Sequence, residues 1–142
     1  MNWHQSEIEI LSNKRGFILI TDIIINQISE ISNYKTGILN LFIKHTSASL
    51  TINENADPTV RTDMEAHFNQ MVPENAPYYR HTLEGPDDMP AHLKSTIIGN
   101  TISIPISNGQ LNMGIWQGIY LCEHRSQVHR RKIVATICGE LG

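Results

Sequence analysis

The side chains of this 142-residue chain that could do chemistry fall into three stretches. The first is His45-Thr46-Ser47-Ala48-Ser49-Leu50, followed by Asn53, Glu54 and Asp57. In an extended chain His45 and Ser47 share one face, so a Ser–His nucleophile pair can be drawn. No strained G-x-S-x-G elbow surrounds Ser47, which argues against it. The stretch ends where a helix begins, and free amides there favour an anion. Ligand binding and a turn held by hydroxyl-to-backbone bonds account for it equally well.

The second stretch, HTLEGPDDMPAH from His81 to His92, holds two imidazoles and the carboxylates Glu84, Asp87 and Asp88. A helix starting near Asp88 sets Asp88 and His92 four residues apart on one face. His81 can reach in from a loop that bends at Gly85-Pro86. Two imidazoles and one carboxylate make a metal-binding set with open positions. The alternative is a helix capped by Asp87 or Asp88 with both histidines solvated. No H-E-x-x-H type signature decides between them.

The third stretch comprises Trp116-Gln117, Glu123-His124-Arg125 and His129-Arg130-Arg131-Lys132. Strand alternation puts Gln117 and Glu123 on the otherwise aliphatic face of Ile115, Ile119 and Leu121, where each needs a partner. Arg125, Arg130, Arg131 and Lys132 concentrate cations in a chain of net charge -3. A solvated hairpin turn explains such a run. A phosphate clamp built from guanidinium forks is the alternative. Carboxylates, imidazoles and a basic cluster in one small domain point to a phosphorylated ligand with a divalent ion. His4 and His67 read as incidental surface residues.

These stretches need a scaffold, and the length fits a single domain spanning 1–142. Hydrophobic residues make up 40% of the chain and charged residues 18%, with 21 isoleucines, which argues against disorder. The negative net charge has the wrong sign for general attraction to nucleic acid. Cys122 and Cys138 form no C-x-x-C pair and read as reduced thiols. The aliphatic run Phe17–Ile25 is interrupted at Thr21 and Asp22 and is too short to span a membrane. The start, MNWHQSEIEI, has neither the basic residues nor the apolar core of a secretory signal, so the expected location is the cytoplasm.

Turn residues at Asn13–Gly16 separate expected strands at Ile8–Leu11 and Phe17–Thr21. Asp22 reads as the cap of a helix through about Ser32, although the β-branched Ile23–Ile25 weaken it. Strands follow at Gly37–Lys44 and Ser49–Asn53. Asp57-Pro58 starts a second helix with a stripe of Val60, Met64, Phe68 and Met71. A third helix spans Asp88–Ile98 and ends at Gly99. The remaining strands are Thr101–Ser107, Gly114–His124 and Arg131–Cys138, the first two joined by a hairpin at Asn108-Gly109-Gln110. Short connections favour antiparallel neighbours. The fold class is α+β, with a largely antiparallel sheet and about three helices.

The segments HTSASLTINENADP (His45–Pro58), HTLEGPDDMPAHLKS (His81–Ser95), GIWQGIYLCEHR (Gly114–Arg125) and RRKIVATICGE (Arg130–Glu140) resemble the YjbQ-like family, often described as secondary thiamine-phosphate synthases. The resemblance runs from about Leu39 to the end of the chain. It implies a compact α+β domain assembling as a homotrimer, and leaves open whether the polar cleft lies between subunits. It implies a weak activity joining a pyrimidine-methyl diphosphate to a thiazole phosphate with release of pyrophosphate.

The family's shared polar positions fall on His45, Thr46, Ser47, Asn53, Glu54, Asp57, His81, Glu84, Asp87, Asp88, His92, Trp116, Gln117 and Glu123. The resulting expectation is a magnesium or zinc ion at His81, Asp88 and His92. His45, Ser47, Glu54 and Glu123 form the catalytic set. Thr46, Asn53, Asp57, Trp116, Gln117, Arg130 and Arg131 contact a small phosphorylated substrate, with Trp116 or Tyr120 stacking on the pyrimidine. Two alternatives stand beside this reading: a non-catalytic binder of a phosphorylated ligand, and a metal-dependent hydrolase of a small phosphoester with His45 or Glu54 as base.

Overall fold

Isoleucine and leucine alternating with polar residues build two antiparallel sheets in a computed structural model that describes residues 1–142. Strands β1 (Asn2–Ser12), β3 (Tyr34–Ile43), β5 (Thr101–Ser107), β6 (Gln110–Leu111) and β8 (His129–Leu141) form the larger sheet, in the order β1-β8-β3-β5-β6. Strands β2 (Gly16–Leu19), β4 (Ala48–Glu54) and β7 (Gln117–Glu123) form the smaller one, in the order β2-β7-β4. Helices α1 (Thr21–Gln27), α2 (Pro58–Met71) and α3 (Asp88–Ile98) complete a single α+β domain. No helix is long and apolar enough to cross a membrane.

The main core lies between the sheets. Leu39, Leu41, Ile133 and Ile137 of the larger sheet meet Leu50, Ile119 and Leu121 of the smaller, with Ile24 and Ile28 joining from α1 and its end. The opposite face of the smaller sheet is covered too: Phe17, Tyr120 and Cys122 pack against Met64 and Phe68 of α2 and Ile98 of α3. A strand buried on both faces reads as a continuous apolar run, as GIYLC does within β7.

Local signals and the structure part company at several points. Residues 13–15 do form a turn, but β1 and β2 do not pair: β1 joins β8, and β2 joins β7. The Asn108-Gly109 turn, with φ of 50° and 76°, connects β5 to the two-residue β6 and not to β7. Both values lie in the left-handed region that such tight hairpins require. Strand β7 starts only at Gln117, because Gly114–Gln117 closes a turn through the Gln117 amide N–H to the Gly114 carbonyl (3.0 Å). The expected helix 22–32 ends at Gln27 and is followed by a 3-10 turn at Ser29–Asn33, since Ile28 leaves helical space (φ -115°, ψ 67°). Asp22 lies in the first turn of α1 and does not cap it.

Helix α2 starts as expected, with the Asp57 carboxylate accepting from the Thr59 amide (2.9 Å) and Pro58 in the first turn. Its stripe is only partly used, and Met71 stays exposed. Helix α3 keeps its expected bounds, ended by Gly99 at φ 107°.

Gly139 of β8 faces Gly37 of β3. A Cβ at Gly139 would collide with the Thr36 carbonyl oxygen, against backbone that cannot yield without parting the strands. Gly139→Ala is therefore expected to cost about 1–3 kcal/mol, read as a lower urea midpoint.

Candidate functional site

The N-terminus of α3 carries Asp87 and Asp88, and neither carboxylate caps the helix. Both are turned to Arg125, just beyond β7. Arg125 Nε donates to Asp87 Oδ2 (3.0 Å), Nη1 to Asp88 Oδ1 (2.7 Å) and Nη2 to the Glu84 carbonyl (2.9 Å). The Ser126 amide adds a bond to Asp87 Oδ2 (2.9 Å). Burial pushes the Asp87 carboxyl up, but the Ser126 amide and Arg125 outweigh it and hold the group below its ordinary value. A guanidinium fork is well suited to bridging two carboxylates.

With Oδ1 committed to Arg125, Asp88 presents Oδ2 to two imidazoles. His81 Nε2 stands 2.6 Å from it, and His92 Nε2 stands 3.3 Å from it, one helical turn along. His92 Nδ1 lies 3.0 Å from the Thr46 carbonyl, an acceptor, so Nδ1 donates there and Nε2 is the nitrogen turned to Asp88. One ligand atom from each of His81, Asp88 and His92 lies within 4.8 Å of the others. Asp88 is buried while the histidines reach solvent. The donor chemistry fits a divalent ion: a carboxylate oxygen and an imidazole nitrogen of fixed tautomer converge from a rigid helix, beside a second imidazole. Imidazoles suit zinc better than magnesium, which prefers oxygen donors.

His92 also lines an open cleft of about 500 Å³ with His45, Thr46, Ser95, Thr96, Gly99 and Asn100. His45 Nε2 accepts a hydrogen bond from the Lys132 amide (2.8 Å). Burial, with Arg131 nearby, holds His45 below the ordinary imidazole value, so it is neutral at pH 7. His45 makes no hydrogen bond to Ser47, whose contribution is its carbonyl, an acceptor for Arg131 (3.3 Å). The hydrogen-bonded Ser–His pair of the molecule is Ser49 Oγ with His124 Nε2 (2.8 Å), wholly buried. Burial above all depresses His124 to about 3 and raises the Cys122 thiol beside it to about 12.

Glu123 has no solvent exposure. Its carboxylate accepts from Arg131 Nε (2.7 Å) and Nη2, from the Ser12 hydroxyl and from the Arg125 amide (3.1 Å). Burial pushes Glu123 up, and Arg131 and Ser12 bring it below its ordinary value. Arg131 is thus spent across the two sheets, and cannot clamp a phosphate without leaving Glu123 uncompensated. Arg130, on the opposite face of β8, is exposed and pairs with Glu9 (3.3 Å). Glu123 holds the frame of the site and does not open into the cleft.

The other expected residues gather elsewhere. Strand pairing sets Ala48 against Glu123 at one end of the smaller sheet and Glu54 against Gln117 at the other. Six residues of strand separate the ends, roughly 20 Å at about 3.3 Å per residue. Asn53, Glu54, Asp57, Trp116 and Gln117 lie at that far end. Asp57 caps α2, and Gln117 Oε1 holds the Gly114 amide (2.8 Å). Asn55 donates to the Ile115 and Gln117 carbonyls (3.2 and 3.1 Å) and leaves Trp116 exposed on a fixed loop. Tyr120 is fully buried, so it stacks on no ligand. The residue that sequence reasoning misplaced is Arg125. Its signal was two adjacent carboxylates needing compensation, with a lone arginine ending an apolar strand.

A two-sheet α+β domain with a histidine–aspartate cluster at the edge of an open cleft defines the class of molecule. The model of the UPF0047 protein YjbQ-like family matches residues 6–140, and the chain belongs to that family. It is 51% identical to UPF0047 protein YjbQ of Salmonella typhimurium over 97% of this chain and 99% of that one. It is 47% identical to the Escherichia coli O157:H7 protein of the same name, with the same coverage. Among solved structures, a YjbQ/UPF0047 family protein of Clostridium acetobutylicum superposes with a TM-score of 0.83 at 34% identity, over 94% of this chain and 99% of that one. A conserved hypothetical protein of Thermus thermophilus superposes with a TM-score of 0.80 at 33% identity, over 91% and 97% of the two chains.

Acid should destabilise the frame of this site. Neutral buried His124 opposes protonation, so its contribution is present above about pH 6.5 and is lost as pH falls toward about 3. The depressed Glu123 contributes above 4.5 and loses that contribution as pH falls through its folded value. Urea midpoints are expected to fall steadily from pH 7 to pH 4. Glu123→Gln, which strands Arg131 in the interior, should cost about 3–5 kcal/mol at pH 7.

Proposed function

We propose that the chain is a metal-dependent enzyme acting on small phosphorylated molecules, and within that class a secondary thiamine-phosphate synthase. The observation that carries the reading is the convergence of His81, Asp88 and His92 within 4.8 Å, with His92 shared by the wall of the His45 cleft. In the reaction a bond forms between the thiazole nitrogen and the pyrimidine methylene carbon. The carbon–oxygen bond to diphosphate breaks, and the diphosphate leaves with the electron pair.

A divalent ion held by His81, Asp88 and His92 would supply positive charge to the leaving diphosphate. The chain's own residues do the rest. Arg125 holds Asp88 in place and Thr46 fixes the His92 tautomer. The Thr46 hydroxyl and the Asn100 amide, both lining the cleft, offer hydrogen bonds to phosphate oxygens. The Nε2 lone pair of His45 is taken by the Lys132 amide, so the neutral ring has its Nδ1–H left to donate to a phosphate oxygen in the cleft it lines.

Trp116 and Gln117 lie too far from the histidines to meet the same ligand in one chain. We therefore infer a homotrimer in which the Trp116 end of one copy meets the histidine end of the next. The unpaired thiols Cys122 and Cys138 accord with a cytoplasmic location.

Calorimetry with zinc should give one saturable site, weakened at least 100-fold in His92→Ala and in His81→Ala. Unchanged affinity in both would refute the site. Supplied with both thiamine precursors and a divalent ion, the wild type should form thiamine phosphate. Release of inorganic phosphate from generic phosphoesters alone would favour the hydrolase. Mixing inactive His92→Ala with inactive Trp116→Ala protein should restore part of the activity if neighbouring copies share the site, and light scattering should give the mass of three chains.

A further inference from the structure

On the helix-covered side of the smaller sheet, away from His81, Asp88 and His92, a cavity of about 540 Å³ opens between β2 and α2. That volume is within the range of small-molecule sites. Its wall carries three cations, Lys14, Arg15 and Arg61, and one carboxylate, Glu65. The carboxylate is already satisfied, since Arg15 Nε stands 3.4 Å from it and the Asn69 amide donates to it (3.1 Å). Arg15 is shared with Glu74 (3.2 Å). Lys14 and Arg61 form no ion pair.

Arg61 is nonetheless held in place. Tyr120, fully buried, gives its hydroxyl hydrogen to the Glu54 carbonyl and uses its oxygen to accept from Arg61 Nη1 (3.4 Å). A core tyrosine thus fixes one nitrogen of the guanidinium and leaves its other donors free. Behind the wall stands a second observation. Lys94 of α3 is only 3% exposed, and its ammonium meets no carboxylate within ion-pair distance. Its one hydrogen bond goes to the neutral Asn69 carbonyl oxygen (2.6 Å), and Asn69 itself lines the cavity. The carboxylates near it, Glu65 beyond Asn69, Glu74 and Asp87, are shared with Arg15 and Arg125, so the buried ammonium is compensated only in part. Phe17, Ile18 and Ala66 supply an apolar part to the same wall.

We propose that this cavity is a second ligand site, which binds a small organic phosphate through Arg61 and Lys14 with its apolar portion over Phe17 and Ala66. The site shares no residue with the histidine cluster and does not rest on the function proposed for it. Lys94 contributes through space, across Asn69, and does not touch the ligand.

The test uses inorganic pyrophosphate as probe, titrated calorimetrically into EDTA-treated wild type so that no metal-held phosphate contributes. Saturable binding is expected, weakened by added salt. It should weaken at least tenfold in Lys14→Gln/Arg61→Gln and stay unchanged in His92→Ala. Amide shifts in the wild type should concentrate at Gly16, Phe17 and Ala66, a readout that needs no variant to fold. No saturable binding, an unchanged affinity in the double variant, or shifts centred on Thr46 and His92 would each overturn the proposal.

Discussion

The Arg125 guanidinium, reaching Asp87, Asp88 and the Glu84 carbonyl at once, is the contact on which the histidine cluster depends. Two carboxylates side by side at a helix start would repel each other and turn to water. One buried arginine makes them a fixed pair and decides which oxygen of Asp88 remains free. The loop bearing His81 is tied in through Glu84 and the α3 register through Asp88. Removing this one cation would leave the imidazoles with nothing rigid to converge upon.

A parallel arrangement lies next to it. Arg131 reaches from the larger sheet to Glu123 on the smaller, and the Ser12 hydroxyl joins them. The two ion pairs are linked through the backbone, since the Arg125 amide donates to Glu123. Polar groups that would be costly alone are almost fully satisfied here as a group, which gives the junction of the sheets one preferred geometry. Glu123, expected in the catalytic set, and Arg131, expected on the substrate, are consumed by the fold. Those it leaves open are His45, His81 and His92.

Much of this was legible in the sequence where the signal is local. The i, i+4 spacing of Asp88 and His92, the start of α2 at Asp57-Pro58 and the stop of α3 at Gly99 depend on neighbours within a few residues. Glu123 was legible as a residue in need of a partner, because strand alternation set it on an aliphatic face. What was not legible is long range. The turn at residues 13–15 gives no sign that the strands it joins go to different sheets. An arginine ending an apolar strand signals a need for counter-charge, but not that Asp87 and Asp88, 38 and 37 residues away, supply it. The placement of Trp116 and Gln117 far from the histidines follows from strand register, which no short motif encodes.

The position of β8 within the larger sheet has a consequence for how the molecule comes into being. This strand follows every other strand of the sheet in sequence, yet it runs between β1 and β3 and is hydrogen-bonded to both. During synthesis on a ribosome, β1 waits with no partner strand and β3 with one side unpaired until His129–Leu141 has emerged. Sequence-distant pairing of this kind is slow to form and exposes sticky edges meanwhile. The larger sheet therefore cannot close before His129–Leu141 pairs, and until then its unpaired edges are most open to aggregation.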